Sequence, residues 1–253
     1  MNENKELNIE ETFDLALQNH KKKNFKEAEK IYKKLLKINP NFPGVYYNLG
    51  IMFKESKEYQ KAINSYEKAI KIKPDYIEAY NNLGMLYKEI DQLDNSINSY
   101  EKAININPMY PDTHNNLGLT FLKLKNYQKA MACFEKTIEL NSNHASAYSN
   151  LGIVFKELGE YEKAIICYEK AIKINPNYSN VYYNFGNILV ELKEFKKAKN
   201  CFEKLINLDP NYKKGYSGYG NLLLKFSQHQ RGLSYIRKGD GIIRFSRNEI
   251  KII

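Results

Sequence analysis

The chain has 253 residues, 43% of them hydrophobic, which is enough apolar material for a core and excludes a wholly disordered polymer. Its formal net charge of +10 comes from lysines interleaved with glutamates at helical spacing, as in YEKAIICYEKAIKI. That pattern reads as a solvated helix face, so no nucleic-acid partner is expected.

The first eight residues form a polar leader with no signal-peptide run, and no stretch is long and apolar enough to span a bilayer, so a cytoplasmic location is expected. From residue 9 onward the sequence is periodic. Pro40, Pro74, Pro108, Pro176 and Pro210 fall on one 34-residue grid, with Ser142 in the remaining place. If this Pro is position 32, the units run 9–42, 43–76, 77–110, 111–144, 145–178 and 179–212. A decayed seventh covers 213–241, and 242–253 is a tail.

In each unit, positions 4, 7, 8 and 11 share one helical face: Tyr46, Leu49, Gly50 and Phe53, or Tyr148, Leu151, Gly152 and Phe155. Positions 20, 24 and 27 repeat that spacing on a second helix, with Ala62, Tyr66 and Ala69, or Ala164, Tyr168 and Ala171. Gly at position 8 and Ala at position 20 allow the two helices a close approach. The link between them carries Gly159, Ser56 or Asn126, residues suited to ending a helix. Of the 21 tyrosines, 17 fall at recurring positions and read as framework. Cys133, Cys167 and Cys201, also 34 apart, read as small residues packed on a helix; no C-x-x-C pair points to metal or redox chemistry.

The pattern Tyr-x₂-Leu-Gly-x₂-Phe…Ala-x₃-Tyr…Pro resembles the tetratricopeptide repeat. The resemblance spans six units. Tyr stands for the signature Trp, Ser96 and Thr137 replace alanines, and Thr12 and Asn19 take aromatic positions in the first unit. It implies an all-α fold, a right-handed superhelical α-solenoid of helix-turn-helix repeats.

One residue is not explained by packing. YYNLG, YNNLG, HNNLG, YSNLG and YYNFG place Asn48, Asn82, Asn116, Asn150 and Asn184 at position 6. About 100° of helical rotation separates it from the packed Leu or Phe at position 7. By resemblance, the first helices line an inner, concave surface. The row is similar to that in the repeat arm of O-linked N-acetylglucosamine transferases, where asparagines clasp the backbone of an extended polypeptide. Flanking positions 5 and 9 add Tyr47, Asn81, Asn115, Tyr183 and Asn187 to the candidate binding row. Two readings fit: contact with a bound peptide, or no ligand role, the asparagines bonding between adjacent first helices or to solvent, or being kept by shared descent of duplicated units. The clamp of chaperone-binding members, with Lys at position 5 and Lys or Arg at positions 2 and 6, is absent; position 2 holds Glu78 and Asp112.

No P-loop, H-E-x-x-H or G-x-S-x-G occurs, so the chain is expected to be no enzyme and to need no cofactor or metal. The expectation is a protein-binding scaffold of unknown partner. The alternative is the substrate-recruiting arm of a glycosyltransferase or other enzyme whose catalytic part lies on another chain. All four arginines, Arg231, Arg237, Arg244 and Arg247, lie in the last stretch, where Gly232 replaces Ala and Gly239 and Gly241 are expected to break the helix. The residues GIIRFSRNEIKII alternate loosely, as an extended segment does. That end reads either as a cap on the last repeat or as a docking segment for an acidic partner.

Overall fold

A computed structural model describes residues 8–241, 243–245 and 250–252. The leader before Asn8 and Arg247 lie outside them. The chain divides into two units, Met1–Leu124 and Lys125–Ile253. The first contains α1 (Ile9–Lys21), α2 (Phe25–Ile38), α3 (Pro43–Glu55), α4 (Tyr59–Ile72), α5 (Ile77–Glu89), α6 (Leu93–Ile106) and α7 (Pro111–Lys123). The second contains α8 (Tyr127–Leu140), α9 (Ala145–Glu157), α10 (Tyr161–Ile174), α11 (Ser179–Glu191), α12 (Phe195–Leu208), α13 (Lys213–Lys225) and α14 (His229–Asp240). The chain is all-α but for a two-stranded antiparallel ribbon, β1 (Ile243–Phe245) and β2 (Ile250–Ile252), in which Arg244 lies opposite Lys251.

Helices pair as antiparallel hairpins, and each hairpin stacks on the next within its unit. Odd-numbered helices touch one another in sequence, α1–α3–α5–α7 and α9–α11–α13, so they form one layer and the even-numbered helices the other.

The most deeply buried face is turned slightly from the expected one. From the second unit on, positions 3 and 10 are shut away: Val45, Ala79, Val181, Leu86, Val154 and Ile188 are fully buried, whereas Glu11 and Gln18 of the first unit are exposed. Tyr46, Tyr80, Tyr148 and Tyr216 at position 4 are half-exposed. Their rings are large enough to reach the edge of the core and end there, with Lys68 over Tyr46 and Lys170 over Tyr148. The close approach at position 8 is real. A Cβ on Gly50 would lie 2.5 Å from the Tyr66 ring, one on Gly84 2.8 Å from Tyr100, and one on Gly152 2.6 Å from Tyr168.

The inter-helix turns share one device. Position 15 is left-handed in every unit: Lys23, Lys57, Asp91, Lys125, Lys193 and Ser227 have φ near 60°, and Gly159 has φ 77°. In the second hairpin Glu58 N–H donates to Phe53 O (2.8 Å) and Lys57 N–H to Lys54 O (3.0 Å), the paired bonds of a Schellman motif. Gly159 therefore fills the role its residue type suggests. Ser56 and Asn126 flank the left-handed site instead: Ser56 is the C-cap of α3, and Asn126 Oδ1 accepts from Lys129 N–H at the start of α8. An L-residue in this conformation costs about 1–2 kcal/mol. Lys23→Gly and Lys57→Gly are each expected to raise stability by about 0.5–1 kcal/mol and Gly159→Ala to lower it by about 1 kcal/mol. Urea unfolding of the three variants checks both signs.

Between hairpins, position 31 carries an amide or carboxylate in five of the six units, with Lys73 in the other. Asn39, Asn107, Asn141, Asn175 and Asp209 each accept, through Oδ1, the backbone N–H two residues on, at 2.9–3.1 Å. This turn, with the Pro that follows at position 32 in four of the five, ends the second helix.

In the last hairpin Gly239 does not break α14; it lies inside it, and only Gly241 ends the helix, at φ 97°. Gly232 and Gly239 are there because α13 and α14 cross backbone to backbone. A Cβ on Gly220 would sit 2.7 Å from Gly232 O, and one on Gly232 2.9 Å from Gly220 O.

Candidate functional site

In the first unit, the adjacent helices α3, α5 and α7 carry Asn48, Asn82 and Asn116 at matching positions, all half-exposed. Two of the amides are oriented by the scaffold. Asn48 Nδ2 donates to Gly44 O one turn back (2.8 Å), and Asn82 Nδ2 crosses to the preceding hairpin and donates to Tyr47 Oη (2.9 Å). Neither Oδ1 has a protein partner among the described residues, and Asn116 makes no side-chain hydrogen bond there.

Tyr47 anchors this cluster. Its ring lies 5.0 Å from that of Tyr76 and 6.1 Å from that of Tyr66. Burial raises its phenol above the usual tyrosine value, and the Asn82 hydrogen bond partly opposes this. Burial also pushes Tyr76 up to about 12. Both phenols are neutral at physiological pH and serve as hydrogen-bonding and apolar surface.

Asn81 and Asn115 stand apart from this half-exposed group. They are 8% and 7% exposed, and Asn81 Oδ1 has no hydrogen-bond partner among the described residues. In the second unit, Asn150 is buried, whereas Asn184 and Asn187 on α11 are half-exposed. Tyr183 there repeats the Tyr47 arrangement, its ring 5.7 Å from Tyr212. The partly apolar strip at position 9 keeps Met85 exposed and Ile51 and Ile153 half-exposed.

The thiols offer no reactive centre. None of the three is in a disulfide among the described residues, and burial lifts Cys167 to about 11 and Cys201 to about 12, so both stay protonated. Among the described residues no group of three or more His, Cys, Asp or Glu side chains is placed to hold a metal, and no helix is long and apolar enough to cross a membrane.

A further feature, a cavity, was not visible in the sequence. It has a volume of about 590 Å³ and opens beside the α11–α12 turn, floored by Phe195, Leu223 and Phe226 and rimmed by Lys193, Lys196 and Arg231. The signal that locates it is comparative: Phe226 falls at position 14, held by Lys22, Ser56, Ile90, Leu124, Leu158 and Leu192 in the earlier units, and it is the only ring among them.

Comparisons with known proteins agree with the periodicity. Sequence models of the tetratricopeptide repeat match residues 13–42, 31–64, 111–144, 145–178 and 179–212, and a model of the TPR repeat matches 52–91 and 86–125. No curated protein matches. The crystal structure of MamA is similar at 27% identity over 64% of this chain and 95% of that one, with a TM-score of 0.57. A tetratricopeptide repeat protein from Parabacteroides merdae is 21% identical over 95% of this chain and 94% of that one, with a TM-score of 0.76. YrrB, solved as a TPR protein with an unusual peptide-binding site, is 21% identical over 73% of this chain and 95% of that one, with a TM-score of 0.55. With 13–212 matched in overlapping segments, the chain belongs to the tetratricopeptide repeat family, whose members mediate protein–protein interactions.

Proposed function

We propose that this protein is a non-catalytic scaffold that binds an extended segment of a partner protein across its odd-numbered helices, with the position-6 asparagines gripping the partner's backbone. The observation that carries this is the orientation of two amides. Asn48 and Asn82 each have one N–H committed to the scaffold, to Gly44 O and Tyr47 Oη, which leaves Oδ1 and the second N–H for a ligand. An Oδ1 accepts a peptide N–H, and the remaining N–H donates to a peptide C=O. Successive helices pack about 8–10 Å apart, and an extended chain rises about 3.3 Å per residue, so one asparagine meets about every third peptide unit. Such contacts read backbone; Tyr47 supplies side-chain preference beside Asn82 in the first unit, and Tyr183 and Asn187 beside Asn184 in the second. The fold shared with YrrB supports the same reading.

The test is a comparative pull-down from native lysate with mass-spectrometric readout, followed by a peptide array of whatever partner is recovered. The wild type is set against the Asn48→Ala, Asn82→Ala, Asn116→Ala triple variant, with circular dichroism showing both folded. Partners bound by the wild type are expected to fall about ten-fold or more with the variant, since each lost hydrogen bond is worth about 0.5–1.5 kcal/mol. Unchanged recovery would reject the asparagines as the grip.

A further inference from the structure

The cavity beside the α11–α12 turn arises from a local change in the repeat. At several equivalent junctions an acidic residue at position 13 closes the edge between hairpins, although Lys123 takes that place opposite Leu93 and pairs with Asp91. Tyr59 Oη donates to Glu89 Oε1 (3.0 Å), Tyr161 hydrogen-bonds Glu191, and His20 Nε2 faces Glu55 at 3.4 Å. At the last junction both partners are exchanged. Phe195 stands in place of the tyrosine and Lys225 in place of the glutamate. The hydroxyl–carboxylate bond is gone, and an apolar floor remains. Phe195 and Phe226 meet edge to face with ring centroids 5.5 Å apart, and Phe226 is 43% exposed.

The rim is cationic and only partly compensated. Lys197 pairs with Glu194 at 2.5 Å and Lys199 with Glu203 at 3.7 Å, and Glu203 also accepts from Tyr219 Oη at 2.7 Å. Arg231 bonds only the neutral Gln228 Oε1, and among the described residues no carboxylate pairs with Lys193 or Lys196. An aromatic pocket with three unpaired cations, Lys193, Lys196 and Arg231, on its rim fits an apolar side chain flanked by carboxylates.

We propose that this pocket docks an acidic peptide segment of a partner protein, with one aromatic or aliphatic side chain seated between Phe195 and Phe226 and its carboxylates on Lys193, Lys196 and Arg231. It is separate from the asparagine row and does not depend on it. A peptide fits better than a nucleic acid, because the cations circle an apolar floor and do not run as a track along a phosphate backbone. It also gives Arg231, one of the four clustered arginines, a bidentate carboxylate partner.

The test is fluorescence anisotropy with the full chain and a fluorescein-labelled peptide in which phenylalanines alternate with aspartates. Two control peptides replace the phenylalanines with serine or the aspartates with lysine. Saturable binding of the first peptide alone is expected, weakening with added salt. Lys196→Glu, on an exposed helix face, and Phe226→Ser are each expected to weaken it about ten-fold. The Asn48→Ala, Asn82→Ala, Asn116→Ala variant is expected to bind like the wild type, which separates this site from the asparagine row. No saturable binding, equal binding of the serine control, unchanged affinity with Lys196→Glu, or preference for a single-stranded RNA probe would each overturn the proposal.

Discussion

Raising the pH above about 10 is expected to unfold this protein cooperatively, with far-ultraviolet circular dichroism and phenolate absorbance changing together. Tyr32, Tyr66, Tyr100 and Tyr168 all occupy position 24, all are fully buried, and none of their hydroxyls has a hydrogen-bond partner among the described residues. Burial pushes each phenol well above its ordinary value of 10.0. The folded state thus holds protons that the unfolded chain releases first. Stability is fully present below pH 10 and is lost as pH rises toward the folded-state values. Each tyrosine contributes a loss of about 1.4 kcal/mol per pH unit, so four together remove about 5–6 kcal/mol per unit, comparable to the whole stability of a typical domain. Replacing three of them (Tyr66→Phe, Tyr100→Phe, Tyr168→Phe) is expected to move the alkaline midpoint upward. It is also expected to raise stability at neutral pH by about 1 kcal/mol per site, because an unpaired buried hydroxyl is removed. Phe134 and Phe202 already fill the same position, so the ring alone suffices there. Tyrosine ionisation complete at high pH with the helical signal intact would show that these phenols are open to solvent.

The second large effect is expected at the last hairpin. Ala normally outperforms Gly inside a helix by about 1 kcal/mol. Gly220→Ala should do the opposite and cost about 3 kcal/mol, because the new Cβ meets Gly232 O at 2.7 Å and Ile236 N at 2.8 Å, and backbone cannot swing aside. Gly50→Ala should cost less, about 1–2 kcal/mol, since its obstacle is the Tyr66 ring. Gly44→Ala, whose Cβ would meet only the Phe42 ring at 3.4 Å, should gain about 0.5–1 kcal/mol. Urea midpoints at unchanged slope decide the order. A gain with Gly220→Ala would mean that α13 and α14 do not cross this closely.

Much of this architecture was legible in the sequence because proline, glycine and alanine carry positional meaning. The proline grid set the period, and Gly50, Gly84 and Gly152 marked the helix contacts. Positions 3 and 10 were harder to read, since Ala79, Thr113 and Thr120 look no more like core than their neighbours; only the rotation of the helix shows that they are. The left-handed lysines at 23, 57, 125 and 193 were hidden for a different reason. Lys has no preference for that conformation, and the two-bond turn imposes it at a cost the rest of the hairpin offsets. The asparagine row was visible as a pattern, but not the bonds that orient it, because Asn82 meets Tyr47 across 35 residues of sequence. The aromatic cavity was missed because the exchange of a Tyr–Glu pair for an apolar residue and a lysine also occurs at Leu93 and Lys123, and only the meeting of Phe195 with Phe226, two residues from successive units, distinguishes the last junction.

Within each unit, substantial contacts join a helix only to the next one or the next but one along the chain. Relative contact order is therefore low, and no strand or loop must wait for a distant partner before it can be placed. Folding is local growth: a hairpin closes, and the following one adds to a surface already formed. During synthesis the chain emerges in the order in which its contacts are made, so each hairpin is buried by its successor soon after leaving the ribosome. The time for which an unpartnered apolar face stays open to aggregation is thus set by translation of one repeat, not of the whole protein.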